Sequence, residues 1–186
     1  MDNDETDLLP GWQSGDPAAF GALVRRWQAP IARFVFHYVG RRDLVQDLCQ
    51  EVFLRVFLAA PRYQESGQFS AWLYRIALNV ARDFARRRQP ERELRQDSEL
   101  VSDSPNPETA CEQEELADLV SRAVAELPEP LRVVLVLRHY QGMNFEQMSR
   151  MLHVPASTLK SRFAAALARL RDQLAPLIRH TEESNT

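Results

Sequence analysis

The residues with the most evident chemistry are arginines set at helical spacing. Within FSAWLYRIALNVARDFARRR, which starts at Phe69, Arg75, Asn79, Arg82 and Arg86 recur three or four residues apart. On a helix they share one face, an amide among guanidinium groups. Guanidinium forks bind phosphate and stack on bases, so this face suits a nucleic-acid strand. A solvated face on an ordinary amphipathic helix fits the same segment equally well. A second set is Ser157, Thr158, Lys160, Ser161 and Arg162, extended by Arg169 and Arg171. Hydroxyl donors and cations near a helix start suit base edges and phosphates. The plainer reading is a solvent-facing helix start with Ser157 and Thr158 as caps. A third set, Asp47, Gln50, Glu51 and Arg55, groups on one side of DLVQDLCQEVFLRVFLAA, either solvated or facing a partner. Catalysis has no candidate: there is no Gly-rich phosphate loop, nucleophile motif or metal cluster. Cys49 and Cys111 form no CxxC pair, and His139 and His153 have no second ligand pair beside them. No cofactor and no small-molecule substrate are expected.

The elements that must position these sets are all helical. Opposite the Arg75 stripe, Phe69, Trp72, Leu73, Ile76, Val80 and Phe84 form a core face. Ser70 is the expected N-cap of this helix and Gln89-Pro90 its expected stop. Upstream, Ser14 to Asp16 offers caps and Pro17 suits a first helical position. Phe20, Leu23, Val24 and Trp27, then Ile31, Phe34, Val35 and Tyr38, continue one stripe that Pro30 either kinks or divides. Gly40 ends it. Leu44, Leu48, Val52, Phe53 and Val56 bury the next helix, and PRYQESGQ from Pro61 to Gln68 reads as a loop. Residues 15–90 thus make one compact all-α domain. Residues 91–115 are an acidic linker without apolar periodicity, so the halves are expected to move independently. Residues 116–176 form a second all-α domain, with flexible tails expected at 1–14 and 177–186. In that domain Phe145 to Leu152 is a short helix. His153-Val154-Pro155 is a turn, and Ala156 to Leu174 is a longer helix with Leu159, Phe163, Ala166, Leu167, Leu170 and Leu174 inward. Two helices joined so tightly form a helix-turn-helix.

Charge supports this division. The net charge is −3, which argues against a protein that coats nucleic acid indiscriminately. The acids are concentrated: residues 91–118 hold ten against Arg92 and Arg95. Of 23 basic residues, 22 are arginine and only Lys160 is lysine. That bias suits nucleic acid, and equally a GC-rich genome. No window approaches the about 20 apolar residues that span a bilayer, and the acidic start MDNDETDLLP is unlike a secretory signal. A cytoplasmic location is expected.

At this point a resemblance covers nearly all the ordered sequence. DLVQDLCQEVFLRVF, then PRY, then FSAWLYRIALNVARDFARRR are followed by LPEPLRVVLVLRHYQGMNFEQMSRMLHVPASTLKSR. In this order and spacing they resemble the bacterial RNA polymerase sigma factors of the extracytoplasmic-function (ECF) group. The resemblance implies a sigma region 2 helical domain at 15–90 and a region 4 helix-turn-helix domain at 116–176. Asp47, Gln50, Glu51 and Arg55 then match the surface that docks on the clamp helices of the polymerase largest subunit, with the flap a further polymerase contact. Tyr63, Gln64 and the loop to Gln68, with Asn79, match the pocket for a base flipped from the −10 element. Arg75, Arg82 and Arg86 would hold the strand backbone. Trp72 is assigned to the core. Ser157, Thr158, Lys160, Ser161, Arg162 and Arg169 match the reader of the −35 element. The implied partners are core RNA polymerase, promoter DNA and an anti-sigma factor, possibly membrane-anchored, and the implied function is promoter-specific initiation without an activity of its own. Two positions depart from the pattern: Ser149 stands where a small Ala is usual and His153 where Gly is usual. If position 153 needs a positive φ, histidine accepts it less readily than glycine. Two rivals stand beside this reading. One is a helix-turn-helix regulator that binds a palindromic duplex without polymerase, and the other is a sigma-like adaptor that reads no promoter.

Overall fold

The computed structural model describes residues 8–64, 69–95 and 112–183, with side chains at 8–64, 69–87 and 117–175. All regular structure among the described residues is helical. The first module contains α1 (Leu9–Gln13), α2 (Pro17–Val39), α3 (Val45–Ala59) and α4 (Phe69–Arg95). The second contains α5 (Glu112–Glu126), α6 (Glu129–Leu135) with a π-helical turn at Val136–Tyr140, α7 (Phe145–Leu152) and α8 (Ala156–Glu183).

Local signals set most boundaries. The Asp16 carboxylate accepts the Ala18 N–H at 2.8 Å, and Pro17 opens α2. Gly40 closes α2 at φ 73°, its N–H donating to the Phe36 carbonyl at 2.7 Å. Asn144 and Gln147 form a reciprocal capping box at the start of α7. Three prolines lie within helices rather than ending them, Pro90 among them against expectation. Pro30 lies inside a single α2, α4 runs past Pro90 to Arg95, and α8 runs past Pro176 to Glu183. A proline deletes one helical hydrogen bond, and the helix-compatible residues after 90 and 176 carry the helices on. The expected linker is thereby shortened at both ends, and residues 96–111 lie outside the described ones. α4 begins at Phe69, so Ser70 sits inside its first turn rather than at its cap.

The expected tail at 1–14 does not hold for residues 8–14. α1 buries Leu9 and Trp12, and Trp12 is only 1% exposed. Its ring lies 5.5 Å from Tyr63, 5.9 Å from Phe69 and 5.8 Å from Trp72, centroid to centroid. From there the core of the first module runs through Trp27, Ile31 and Phe34 of α2, Val52 and Val56 of α3, and Leu73, Tyr74 and Leu78 of α4. α4 buries more of its circumference than its apolar stripe suggests, because small Ala77 and Ala81 let neighbouring helices close in. The second module centres on Val124, Leu127, Val133 to Leu137, Met148 and Leu159. Leu167 was expected inward but is 46% exposed, since the inner line of α8 runs through Leu159, Phe163, Ala166 and Leu170.

In this structure the two halves lie packed against each other. α5 and the π-turn pack on α2, and α7 approaches α4. A Cβ on Gly40 would lie 2.7 Å from the Ala125 Cβ and 3.1 Å from the Ser121 carbonyl oxygen. The glycine therefore provides both the left-handed cap and the close approach of α5. The contact has apolar and polar parts. Val124 and Leu127 join the common core, and fully buried Ser121 bonds His37 Nδ1 at 2.9 Å.

Candidate nucleic-acid and polymerase interfaces

The α4 stripe is present as expected but its members differ. Arg75, Asn79 and Arg86 are exposed. Arg82 is half-buried, and its Nε and Nη2 both donate to Glu129 Oε1 of α6, at 2.8 and 2.6 Å. One turn before Arg75 the chain forms a cleft of about 400 Å³. Its lining brings Arg62, Tyr63, Gln64, Trp72 and Arg75 of the first module together with Arg150 and Met151 of α7. Tyr63 was expected to offer its ring to a base. It is instead 7% exposed, packed against Trp12, Phe69 and Trp72, and its carbonyl accepts from Gln13 Nε2 at 2.6 Å. Gln64 is exposed at the rim, Trp72 is half-buried, and residues 65–68 of the expected pocket lie outside the described ones. Trp12, which packs against Tyr63 at the root of the loop, escapes sequence reading because a five-residue helix shows no usable periodicity.

On α3, Asp47 and Gln50 are exposed and Glu51 and Arg55 half-buried. The guanidinium of Arg55 donates to Glu51 at 2.7 Å and to Asp83 of α4 at 3.0 Å. Asp83 also accepts from Arg86 at 2.6 Å. These bonds to Glu51 and Asp83 raise the Arg55 pKa, and Arg55 holds the Asp83 carboxyl below its ordinary value. Asp83 thus ties the acidic face of α3 to the arginines of α4, a link that falls outside both stripes. Beyond Glu51 the face turns apolar, with Leu54, Phe57 and Leu58 exposed and Phe57 set edge-on to Phe20. Cys49 is half-buried nearby, and burial pushes its thiol up to about 11.

The second module forms the expected helix-turn-helix, with the turn at 153–155 between α7 and α8. His153 adopts φ 55°, ψ 41°, the positive φ that was in question. Leu159 is fully buried and Phe163 meets Phe145 edge-on, which fixes the rotation of α8. That rotation leaves Ser157, Lys160, Ser161 and Arg169 exposed and Thr158 and Arg162 half-buried. α8 starts at Ala156, so Ser157 and Thr158 lie within its first turn, and Ser161 donates to the Ser157 carbonyl at 3.2 Å. The Lys160 ammonium sits over the Phe145 ring, 5.9 Å from its centroid, and the Arg138 guanidinium lies over the same ring at 5.5 Å. One end of α8 therefore presents hydroxyls and cations on a rigidly oriented helix.

Two family models match the two modules in this order. Sigma-70 region 2 matches residues 23–91 and Sigma-70 region 4 matches residues 117–170. The ECF RNA polymerase sigma-E factor of Escherichia coli K12 is 34% identical over 182 residues, covering 92% of this chain and 95% of its own. The RNA polymerase sigma-H factor of Pseudomonas aeruginosa is 31% identical over 185 residues, covering 94% and 96%. Among solved structures, CnrH in complex with the cytosolic domain of CnrY superposes with a TM-score of 0.69 at 27% identity, over 91% of this chain and 96% of that one. The sigma factor RpoE of Bartonella quintana, in complex with the anti-sigma factor NepR, shares the fold with a TM-score of 0.62 at 21% identity, over 84% and 96%. The coverage takes in both modules, and the chain belongs to the sigma-70 family as an ECF RNA polymerase sigma factor.

Proposed function

We propose that this sigma factor divides its work between the two modules, and that the residues described above carry it. Asp47, Gln50, Glu51 and Arg55 dock on the clamp helices of core polymerase. The exposed start of α8 enters the major groove at the −35 element, where Ser157, Lys160 and Ser161 reach bases and phosphates and Arg162 and Arg169 add charge. The stripe of Arg75, Asn79, Arg82 and Arg86 holds the melted −10 strand. Unstacking a base costs a few kcal/mol, and a cleft beside Trp72 and Gln64 recovers part of it. Tyr63 and Trp12 act from within the core by fixing the loop root. Nucleotide addition belongs to the partner enzyme.

The observation that carries this reading is the orientation of α8. Leu159, Phe163 and Ala166 are inside, and every residue assigned to the −35 contact is on the other sides of the helix. The relatives by name are sigma factors, and none of these comparisons favours a regulator that acts without polymerase. CnrH and RpoE are bound by CnrY and NepR, which supports an anti-sigma partner here as well. No helix among the described residues is long and apolar enough to cross a membrane, consistent with work in the cytoplasm. Two variants test the division of labour. Lys160→Ala leaves core binding intact and lowers promoter-dependent initiation about tenfold. Glu51→Ala lowers affinity for core polymerase. Equal loss of both properties in Lys160→Ala overturns the assignment of α8.

A further inference from the structure

Three guanidinium groups converge on the cleft between the modules without a counterion. Arg62 and Arg75 come from the first module and Arg150 from α7, and all three are exposed. Among the described residues none of them makes a hydrogen bond, ion pair or ring contact, and no carboxylate lines the cleft. Their neighbours differ: Arg55 and Arg86 meet Asp83, and Arg82 meets Glu129. Like charges gathered at one opening repel, and a polyanion between them offsets that repulsion. The remaining lining is of another kind. Ala71, half-buried Trp72 and buried Met151 give an apolar wall, and Gln64 sets an amide at the rim. An indole and a thioether suit a flat ring, and an amide both donates to and accepts from the edge of a base. The volume of about 400 Å³ exceeds what a single small anion fills and falls in the range of about 300–1,000 Å³ usual for small-molecule sites.

We propose that this cleft binds a free nucleoside triphosphate, with its phosphates among Arg62, Arg75 and Arg150 and its base against Trp72 beside Gln64. Guanidinium forks match phosphate oxygens two at a time, and three forks suit the charge of a triphosphate. The site is composite. Two of its cations belong to the first module and one to the second, so the complete site exists only in the packed chain, and the ligand stabilises that state by mass action. The proposed −10 contact needs no residue of α7, so failure of this site leaves that contact standing.

The test is calorimetric titration of the full chain with ATP in magnesium-free buffer, beside inorganic triphosphate, adenosine and a single-stranded oligonucleotide of mixed sequence. Arg150→Gln is compared with Arg171→Gln, which makes the same charge change on an exposed residue of α8 outside the cleft. ATP is expected to bind saturably and to raise Tm, inorganic triphosphate to bind about tenfold more weakly, and adenosine not measurably. Arg150→Gln is expected to weaken ATP binding about tenfold and Arg171→Gln to leave it unchanged. No saturable binding of ATP, or an equal loss in both variants, overturns the site. Adenosine or inorganic triphosphate binding as tightly as ATP removes the phosphates or the base from it, and either overturns the nucleotide assignment. An oligonucleotide that binds as tightly as ATP, and loses as much in Arg150→Gln, assigns the cleft to a strand and overturns the free ligand.

Discussion

The imidazole of His37 lies stacked on the phenol ring of Tyr140, centroids 3.6 Å apart and planes inclined by 15°. His37 belongs to α2 and Tyr140 to the π-turn, so this stack is part of the seam between the modules. Burial pushes the His37 pKa from its ordinary 6.5 down to about 4, and the charges of Arg33 and His139 push the same way. The packed chain therefore holds His37 neutral, with Ser121 bonded to Nδ1.

Once the modules part, that imidazole titrates near its ordinary value. The packed state then binds protons more weakly than the open one, so its stabilisation is full above pH 6.5 and is lost as pH falls from 6.5 towards 4. Melting of the wild-type chain at pH 7.5 and pH 5, beside His37→Gln, checks this. The variant is expected to show a smaller drop in Tm between the two. An equal drop removes His37 from the seam.

Trp12 touches Tyr63, Phe69 and Trp72 from a helix of five residues. Trp12→Ala is expected to cost about 3–5 kcal/mol in urea unfolding, and Trp12→Phe well under half of that. Because Tyr63 roots the loop, Trp12→Ala also weakens −10 melting more than it weakens core binding.

His153 holds a left-handed conformation that costs an ordinary L-residue about 1–2 kcal/mol. It is exposed, so no packing is lost when it is replaced. His153→Gly is expected to stabilise the fold by up to about 1 kcal/mol, a Tm rise of roughly 2–4 °C, without changing −35 recognition.

Asp83 receives Arg55 from one helix and Arg86 from its own. Asp83→Asn is expected to loosen both arginines and to lower affinity for core polymerase severalfold in a competition assay, although Asp83 lies off the docking face. Unchanged affinity means Arg55 needs only Glu51 to hold its place.

Much of this was legible because it is local. Asp16-Pro17 and Gly40 bound α2, and His153-Val154-Pro155 marks a turn whose two helices follow at once. The faces of α4 and α8 can be read from residue types because their periodicity extends over several turns. What escaped is held by distance. Trp12 gains its order from residues about 50 positions away, as the Gln13–Tyr63 bond illustrates. Arg82 finds Glu129 at a separation of 47 residues, and Tyr74 finds Gln141 at 67. No local pattern encodes such pairs. Tyr63 was misplaced for a related reason: an aromatic in a loop suggests a stacking platform, and only the positions of Trp12 and Phe69 turn it inward. Pro90 misled because a proline removes one helical hydrogen bond without forbidding the helix on its C-terminal side, and α4 continues to Arg95.

Promoter choice by this chain is expected to require the polymerase. Transcription by core enzyme from a library of promoter fragments, with and without the chain, tests it most directly. Start sites sharing a −35 and a −10 sequence are expected only when both proteins are present, with weak binding of duplex by the chain alone. Tight, salt-dependent binding of the chain alone to a palindrome, with no new start sites from the mixture, would contradict it.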